Sequence, residues 1–332
     1  MSVGIDPGCI RLRIVVADGQ VSAVEVASER PAIAQRLRGR AADDAVRLVP
    51  LLFSLCGKAQ GSAALLALEA ARGNERTPHL DPAIQQEALR EHLWRWLLDL
   101  PVLLGDIALR EEFVAAIGWI ANGKRDELAA LLGGSRIGGL RQRLMAIEDT
   151  RYTGPRALPP LTARSSLDPW PQLDAGFAQT PQWQGAAAET GAIARRQDRA
   201  ELGSGAFAAR WLARLEEVRD WAAGKEKVGA GGTASSVRSG AGRGRALVET
   251  ARGLLMHEIT LDAERIADYV IVAPTEWNFH PHGPLAGWLA GRDATDAKTV
   301  RRFASHAIAA LDPCVRWDCR IDGDQPETPP SA

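Results

Sequence analysis

Cysteine is scarce in this 332-residue chain: Cys9, Cys56, Cys314 and Cys319, with no two in a C-x-x-C spacing. Four thiols exclude a disulfide-dense secreted scaffold, and without a C-x-x-C pair nothing nucleates a zinc site. Charge of one sign is missing too. Lys plus Arg number 40 against 41 Asp plus Glu, so bulk charge offers nothing to nucleic acid or an anionic membrane. No apolar run reaches the roughly 18 residues of a membrane span. The opening MSVGIDPG has no charged region followed by an apolar one, so no secretory signal is read there. The expectation is a cytoplasmic protein with no nucleic-acid and no membrane partner. Internal repeats are absent. A phosphate loop is absent as well, because the Gly-rich stretch 224–245 lacks the G-x-x-x-x-G-K-[ST] order; a mobile loop is expected there.

What is present suits a globular chain. Apolar residues make up 46%, enough at this length to bury a core. RLRIVVA and VSAVEVA, separated by DGQ, read as a β-hairpin at 11–27. From about 31 to 146 the apolar spacing is helical, broken by glycine and proline. In LWRWLL, at 93–98, the tryptophans read as helix core and Arg95 as outward-facing. Residues 150–200, rich in Pro, Ala, Gln and Thr, read as an irregular connection. A helix follows in GAFAARWLARLEEVRDWAAG. A second β pair is read in LLMHEITL and ADYVIVAPT, and a last helix in DAKTVRRFASHAIAAL. The acidic, Pro-rich end, 321–332, is expected to be disordered. His257 reads as a hydrogen-bonded core histidine, and the H-x-H of His280 and His282 as an exposed turn, since no third ligand stands near it in sequence.

Four separated stretches share one pattern. ETARGLLMHEITLDAERIADYVIVAPTEWNFHP (249–281) resembles the segment of nickel–iron hydrogenase large subunits that reads E-A-P-R-G-x-L-x-H, then a hairpin, then V-P-T-T-W-N. ALDPCVRWDC resembles their D-P-C-x-x-C-x-x-H, and SLCGKAQGSAALLALEAARG their R-x-C-G-x-C-x-x-x-H. DPGCIRLRIVVADGQV sits where those proteins have R-I-E-G-H-L-R-I. The departures matter most. Nickel and iron in those enzymes share four thiolates, and soft thiolate suits both metals. Cys56 and Cys314 match the first cysteine of each motif, while the bridging places hold Ala59 and Trp317. Arg320 replaces the second motif's histidine, after which large subunits are cleaved, so the tail through Ala332 is expected to remain. Ser54 replaces the first motif's arginine, and Cys9 stands at the place of the proton-relaying glutamate.

This combination resembles the HupK/HoxV family, hydrogenase-large-subunit-like proteins implied in assembling the hydrogenase cofactor. The resemblance implies an α+β, large-subunit-like fold: a helix-rich core with short β-hairpins at both ends, in one trimmed domain over 1–320. It implies a non-catalytic scaffold that holds an Fe(CN)2CO intermediate, without nickel, for transfer to the large subunit. Iron would be held by Cys56 and Cys314, with Cys9 as a possible third ligand; Cys319 is off register. Arg252 and Thr275 would orient cyanide, with Asp312 fixing Arg252 and Asp99 completing the shell. The implied partners are a HypC-type chaperone, its iron-carrying partner, and the apo large subunit. The rival reading is a metal-free interaction protein that binds those chaperones or mimics the apo large subunit.

Overall fold

The hairpin at the start of the chain turns on Asp18 and Gly19, both at positive φ, as a tight turn between twisted strands requires. The computed structural model describes residues 8–53, 55–147, 158–163, 170–196, 205–225 and 231–322. The hairpin strands are β1 (Cys9–Ala17) and β2 (Gln20–Glu29). Helices α1 (Ala42–Leu52) and α2 (Gly57–Ala71) precede the short β3 (Arg76–Leu80). A run of helices follows: α3 (Pro82–Trp94), α4 (Leu100–Leu103), α5 (Arg110–Ala121), α6 (Arg125–Gly133) and α7 (Ser135–Met145). Asp81 starts α3 by accepting from the backbone N–H groups of Ala83 and Ile84, with Pro82 in the first helical position.

The stretch read as an irregular connection is described in part, and there it holds two short helices, α8 (Ala175–Gln179) and α9 (Ala192–Arg195). Helix α10 (Ala206–Ala222) leads to four strands, β4 (Thr233–Gly240), β5 (Arg243–Thr250), β6 (Gly253–Asp262) and β7 (Arg265–Val272). The chain ends with α11 (Pro274–Asn278), α12 (Pro284–Leu289), α13 (Ala297–Leu311) and β8 (Arg316–Ile321).

The strands form two sheets. One has the order β2-β1-β8, with β8 parallel to β1; the other is antiparallel, β3-β4-β5-β6-β7. The central strands of the larger sheet, β5 and β6, are buried along most of their length because both faces are covered there. On β6, Leu255 and Ile259 pack with Ala63 and Ala67 of α2, while Leu254 and Met256 face Leu161, Trp170 and Trp277. The period of two assigns each residue to one side. Sheet β2-β1-β8 packs instead against α10, α12 and α13 in a separate core around Ile10, Leu12 and Ile14.

Two readings need correction. The Gly-rich stretch 224–245 is not a mobile loop where it is described; it supplies β4, the turn at Gly242, and the start of β5, with 226–230 outside the described residues. One of its glycines serves close packing. A Cβ on Gly244 would lie 2.2 Å from the Ala67 carbonyl oxygen, because α2 crosses β5 at backbone contact. The expected disordered end begins too early, since Ile321 is buried in β8; 323–332 lie outside the described residues.

Gly244→Ala should therefore force α2 off the sheet and cost about 1–3 kcal/mol, the usual penalty of overpacking. Gly240→Ala, where the nearest atom to a new Cβ is Arg243 Cβ at 3.7 Å, should cost far less. Urea unfolding of the two variants side by side checks the difference.

Candidate functional site

Two chain reversals carry the thiols. Cys56 is the residue before α2, in the link from α1. Glu87 of α3 reaches across to accept from the N–H groups of Lys58 (2.8 Å) and Ala59 (3.1 Å), closing the start of that helix. Cys314 follows the end of α13, where Asp312 takes the left-handed conformation (φ 56, ψ 68) and Pro313 stops the helix. Aspartate tolerates that conformation better than most residues.

Asp312 is buried at the centre of a charged cluster. Its Oδ1 accepts from Arg252 Nε at 3.2 Å and lies 2.6 Å from Arg95 Nε; Arg214 Nε stands 3.9 Å from Oδ2. Burial alone would raise this carboxyl, but the guanidinium groups of Arg252, Arg95 and Arg214 hold it far below the usual range. Arg252 also donates to Glu91 at 3.0 Å. Burial opposes its charge, yet Asp312 and then Glu91 keep it firmly protonated. Arg214, buried among Arg95, Arg252 and Arg210, is brought down to about 10 despite Asp312. Gly253, next to Arg252, sits at φ +130, and a Cβ there would be 2.3 Å from Thr190 Cγ2. Only glycine fits the A-R-G turn that aims Arg252.

Cys56 and Cys314 are both free and half-buried. They are close enough to influence each other: burial first, and then Cys314, push the Cys56 thiol up to about 12, against Arg252 and Gln60. Metal-free Cys56 thus keeps its proton at neutral pH, and binding a metal must release it. Thr275 Oγ1 lies 3.1 Å from Cys314 Sγ. Cys56, Cys314, Arg252, Thr275 and Asp312, distant in sequence, are thereby gathered at one place.

The remaining predicted residues make other contacts. Cys9 is buried on β1, where its Sγ contacts the Ile10 carbonyl oxygen at 3.5 Å. The charged groups acting on it are Arg316, Arg11, Asp318 and Glu29. Among the described residues, no group of three or more His, Cys, Asp or Glu could hold a metal ion. Asp99 pairs with Arg95, one residue removed from the centre, with its side chain 38% exposed. Cys319 is buried in β8 behind Leu12, Trp317 is exposed, and Ser54 lies outside the described residues.

Arg95 corrects an expectation. It reaches inward to Asp312 from the start of a π-helical turn, Arg95–Asp99, while its neighbour Trp94, read as helix core, is 40% exposed. His280 is likewise buried rather than on an exposed turn, with only His282 outside. Arg30 escaped the sequence reading altogether. It follows β2, donates to Glu276 at 3.2 and 3.3 Å, and lies near both Cys314 and Cys56. The one available signal was Glu276 itself, an acid where the hydrogenase pattern has threonine.

The family model described as nickel-dependent hydrogenase matches residues 206–316. HoxV, a hydrogenase expression/formation protein of Cupriavidus necator, is 33% identical over 92% of this chain and 94% of its own length. HupK of Azotobacter vinelandii, described in the same words, is 30% identical over 95% of this chain and 98% of its own. This chain belongs to the HoxV/HupK family. Solved [NiFeSe] hydrogenases of Desulfovibrio vulgaris Hildenborough and Desulfomicrobium baculatum share the fold. Their TM-scores are both 0.56 at 16% and 14% identity, covering 90% and 91% of this HoxV/HupK chain and 94% and 95% of theirs. The fold is thus the α+β hydrogenase large-subunit type. No helix among the described residues is long and apolar enough to cross a membrane.

Asp312→Asn should leave buried guanidinium groups without their counter-charge and cost about 3–5 kcal/mol. Asp99→Asn removes a partly solvated partner and should cost about 0–1 kcal/mol. Denaturant melts at neutral pH read both.

Proposed function

We propose that this chain serves nickel–iron hydrogenase maturation as a non-catalytic carrier, holding an Fe(CN)2CO unit between Cys56 and Cys314 for transfer to the large subunit. The observation that carries this reading is the pairing of two thiols, and no more, with a buried guanidinium and a hydroxyl. A bare metal ion takes about four protein ligands in a closed site, and no such set is gathered among the described residues. An iron that arrives with two cyanides and a carbonyl needs few further ligands, and soft thiolates suit it.

The surroundings fit that cargo. Cyanide nitrogen in a dry pocket needs donors, and Arg252, held charged by Asp312 and Glu91, is a strong one. Thr275 Oγ1, beside Cys314, is a second. Ala59, buried at one bridging position, and exposed Trp317 at the other leave nickel without its thiolates. Fewer ligands also make release easier, as a carrier requires. The implied delivering partners are a HypC-type chaperone and its iron-carrying companion, and the receiver is the apo large subunit. The names of the relatives, hydrogenase expression/formation proteins, support the same role.

Protein purified without oxygen should show cyanide and carbonyl stretches in the infrared and hold no stoichiometric nickel. Cys56→Ser and Cys314→Ser should each abolish those bands while keeping the fold, since serine is nearly isosteric. Arg252→Lys keeps the charge but loses the planar fork, so iron should still bind with shifted cyanide stretches and lower loading. If both serine variants mature hydrogenase as well as the wild type, the thiols carry no iron and a metal-free contact role remains.

A further inference from the structure

A chain of buried hydrogen bonds runs from the far side of α2 to the Cys56 sulfur. Tyr269 Oη is 2.9 Å from His257 Nδ1; His257 Nε2 is 2.9 Å from Gln60 Oε1; Gln60 Nε2 is 3.7 Å from Cys56 Sγ. The last distance is ordinary for a donor to sulfur. Tyr269 and His257 are fully buried and Gln60 is 1% exposed, so solvent does not compete. The fold sets the alignment. His257 and Tyr269 lie on neighbouring strands β6 and β7, on the face that α2 covers, and Gln60 is one turn of α2 beyond Cys56.

We infer that Gln60 is a positioning residue for the Cys56 sulfur, its amide N–H held toward sulfur by His257 and Tyr269. The inference rests on the carrier reading for its purpose but not for its geometry. Burial depresses His257 to about 3, so the ring is neutral and has one N–H to give. With Tyr269 O–H donating to Nδ1, that proton is on Nε2 and donates to Gln60 Oε1. The carboxamide then has only its N–H2 to turn to Cys56. In the reverse polarity Tyr269 would accept from Nδ1–H and need a new acceptor for its own proton. Among the described residues, His257 is the partner recorded for its hydroxyl. An unmade buried hydrogen bond disfavours that reversal.

An N–H···S bond draws electron density from a metal-bound thiolate and fixes the direction of its lone pairs, as partners of metal ligands generally do. In a carrier this weakens donation to iron and eases release. Gln60→Leu should therefore make Cys56 a stronger donor. The carbonyl stretch of loaded protein should fall by a few wavenumbers with the iron content unchanged. Tyr269→Phe, which leaves the core shape intact, should release the tautomer and move the stretch in the same direction by less.

The metal-free protein gives an independent readout. Long-range proton–nitrogen correlation on histidine-labelled protein should show His257 as the Nε2–H tautomer in the wild type and a mixture in Tyr269→Phe. An Nδ1–H tautomer in the wild type would mean that Gln60 offers oxygen to Cys56, and overturns the inference whether or not iron is carried. A carbonyl stretch unmoved in Gln60→Leu overturns it as well. If wild-type protein shows no diatomic bands at all, the carrier reading fails, and the tautomer alone decides the inference.

Discussion

A single buried carboxylate organises this molecule. Asp312 faces guanidinium groups from three elements: Arg95 from the π-turn after α3, Arg214 from α10, and Arg252 from the turn between β5 and β6. Each arginine is long enough to leave its own element, and each meets the same anion. Taking so many charges from water is costly unless they satisfy one another. The N-terminal helices, the larger sheet and the C-terminal reversal are therefore held in one relative arrangement. The thiols inherit it: Cys314 is two residues from Asp312, and Cys56 faces the guanidinium that Asp312 anchors.

The centre consequently presents fixed cationic donors to the thiol pair. Arg252 and Arg30 approach the thiol pair from different elements, β6's leading turn and the end of β2. In the carrier role proposed above, a complex wrapped in cyanide would present negative atoms to these donors. Pairing Arg30 with Glu276, and Arg252 with Asp312 and Glu91, keeps both guanidinium groups in place before any cargo arrives.

Much of this was legible in the chain because the motifs state backbone needs. A-R-G demands glycine where Gly253 meets Thr190, and D-P-C ends a helix in a left-handed turn. The hairpins and long helices followed from periodicity. The Gly-rich strands did not, since a glycine placed for backbone contact with α2 looks the same in sequence as one placed for flexibility. Arg95 lies on the other side from that expected because only one of its flanking tryptophans is core: Trp96 is buried, but Trp94 is exposed. Arg30 and Gln60 were invisible for a simpler reason: their roles arise from neighbours far along the chain, and no local pattern marks them.

The parallel pairing of β8 with β1 has a temporal consequence. Cys9 to Ile14 find their partners at Arg316 to Ile321, so this sheet spans nearly the whole sequence. Such non-local contacts form late, after the loop-closure entropy has been met. Cys56 is synthesised long before Cys314 and before β5 and β6, the strands against which α2 packs. The two sulfurs can come together only after Cys314 has been made, so a half-built chain offers a metal one member of the pair and never both.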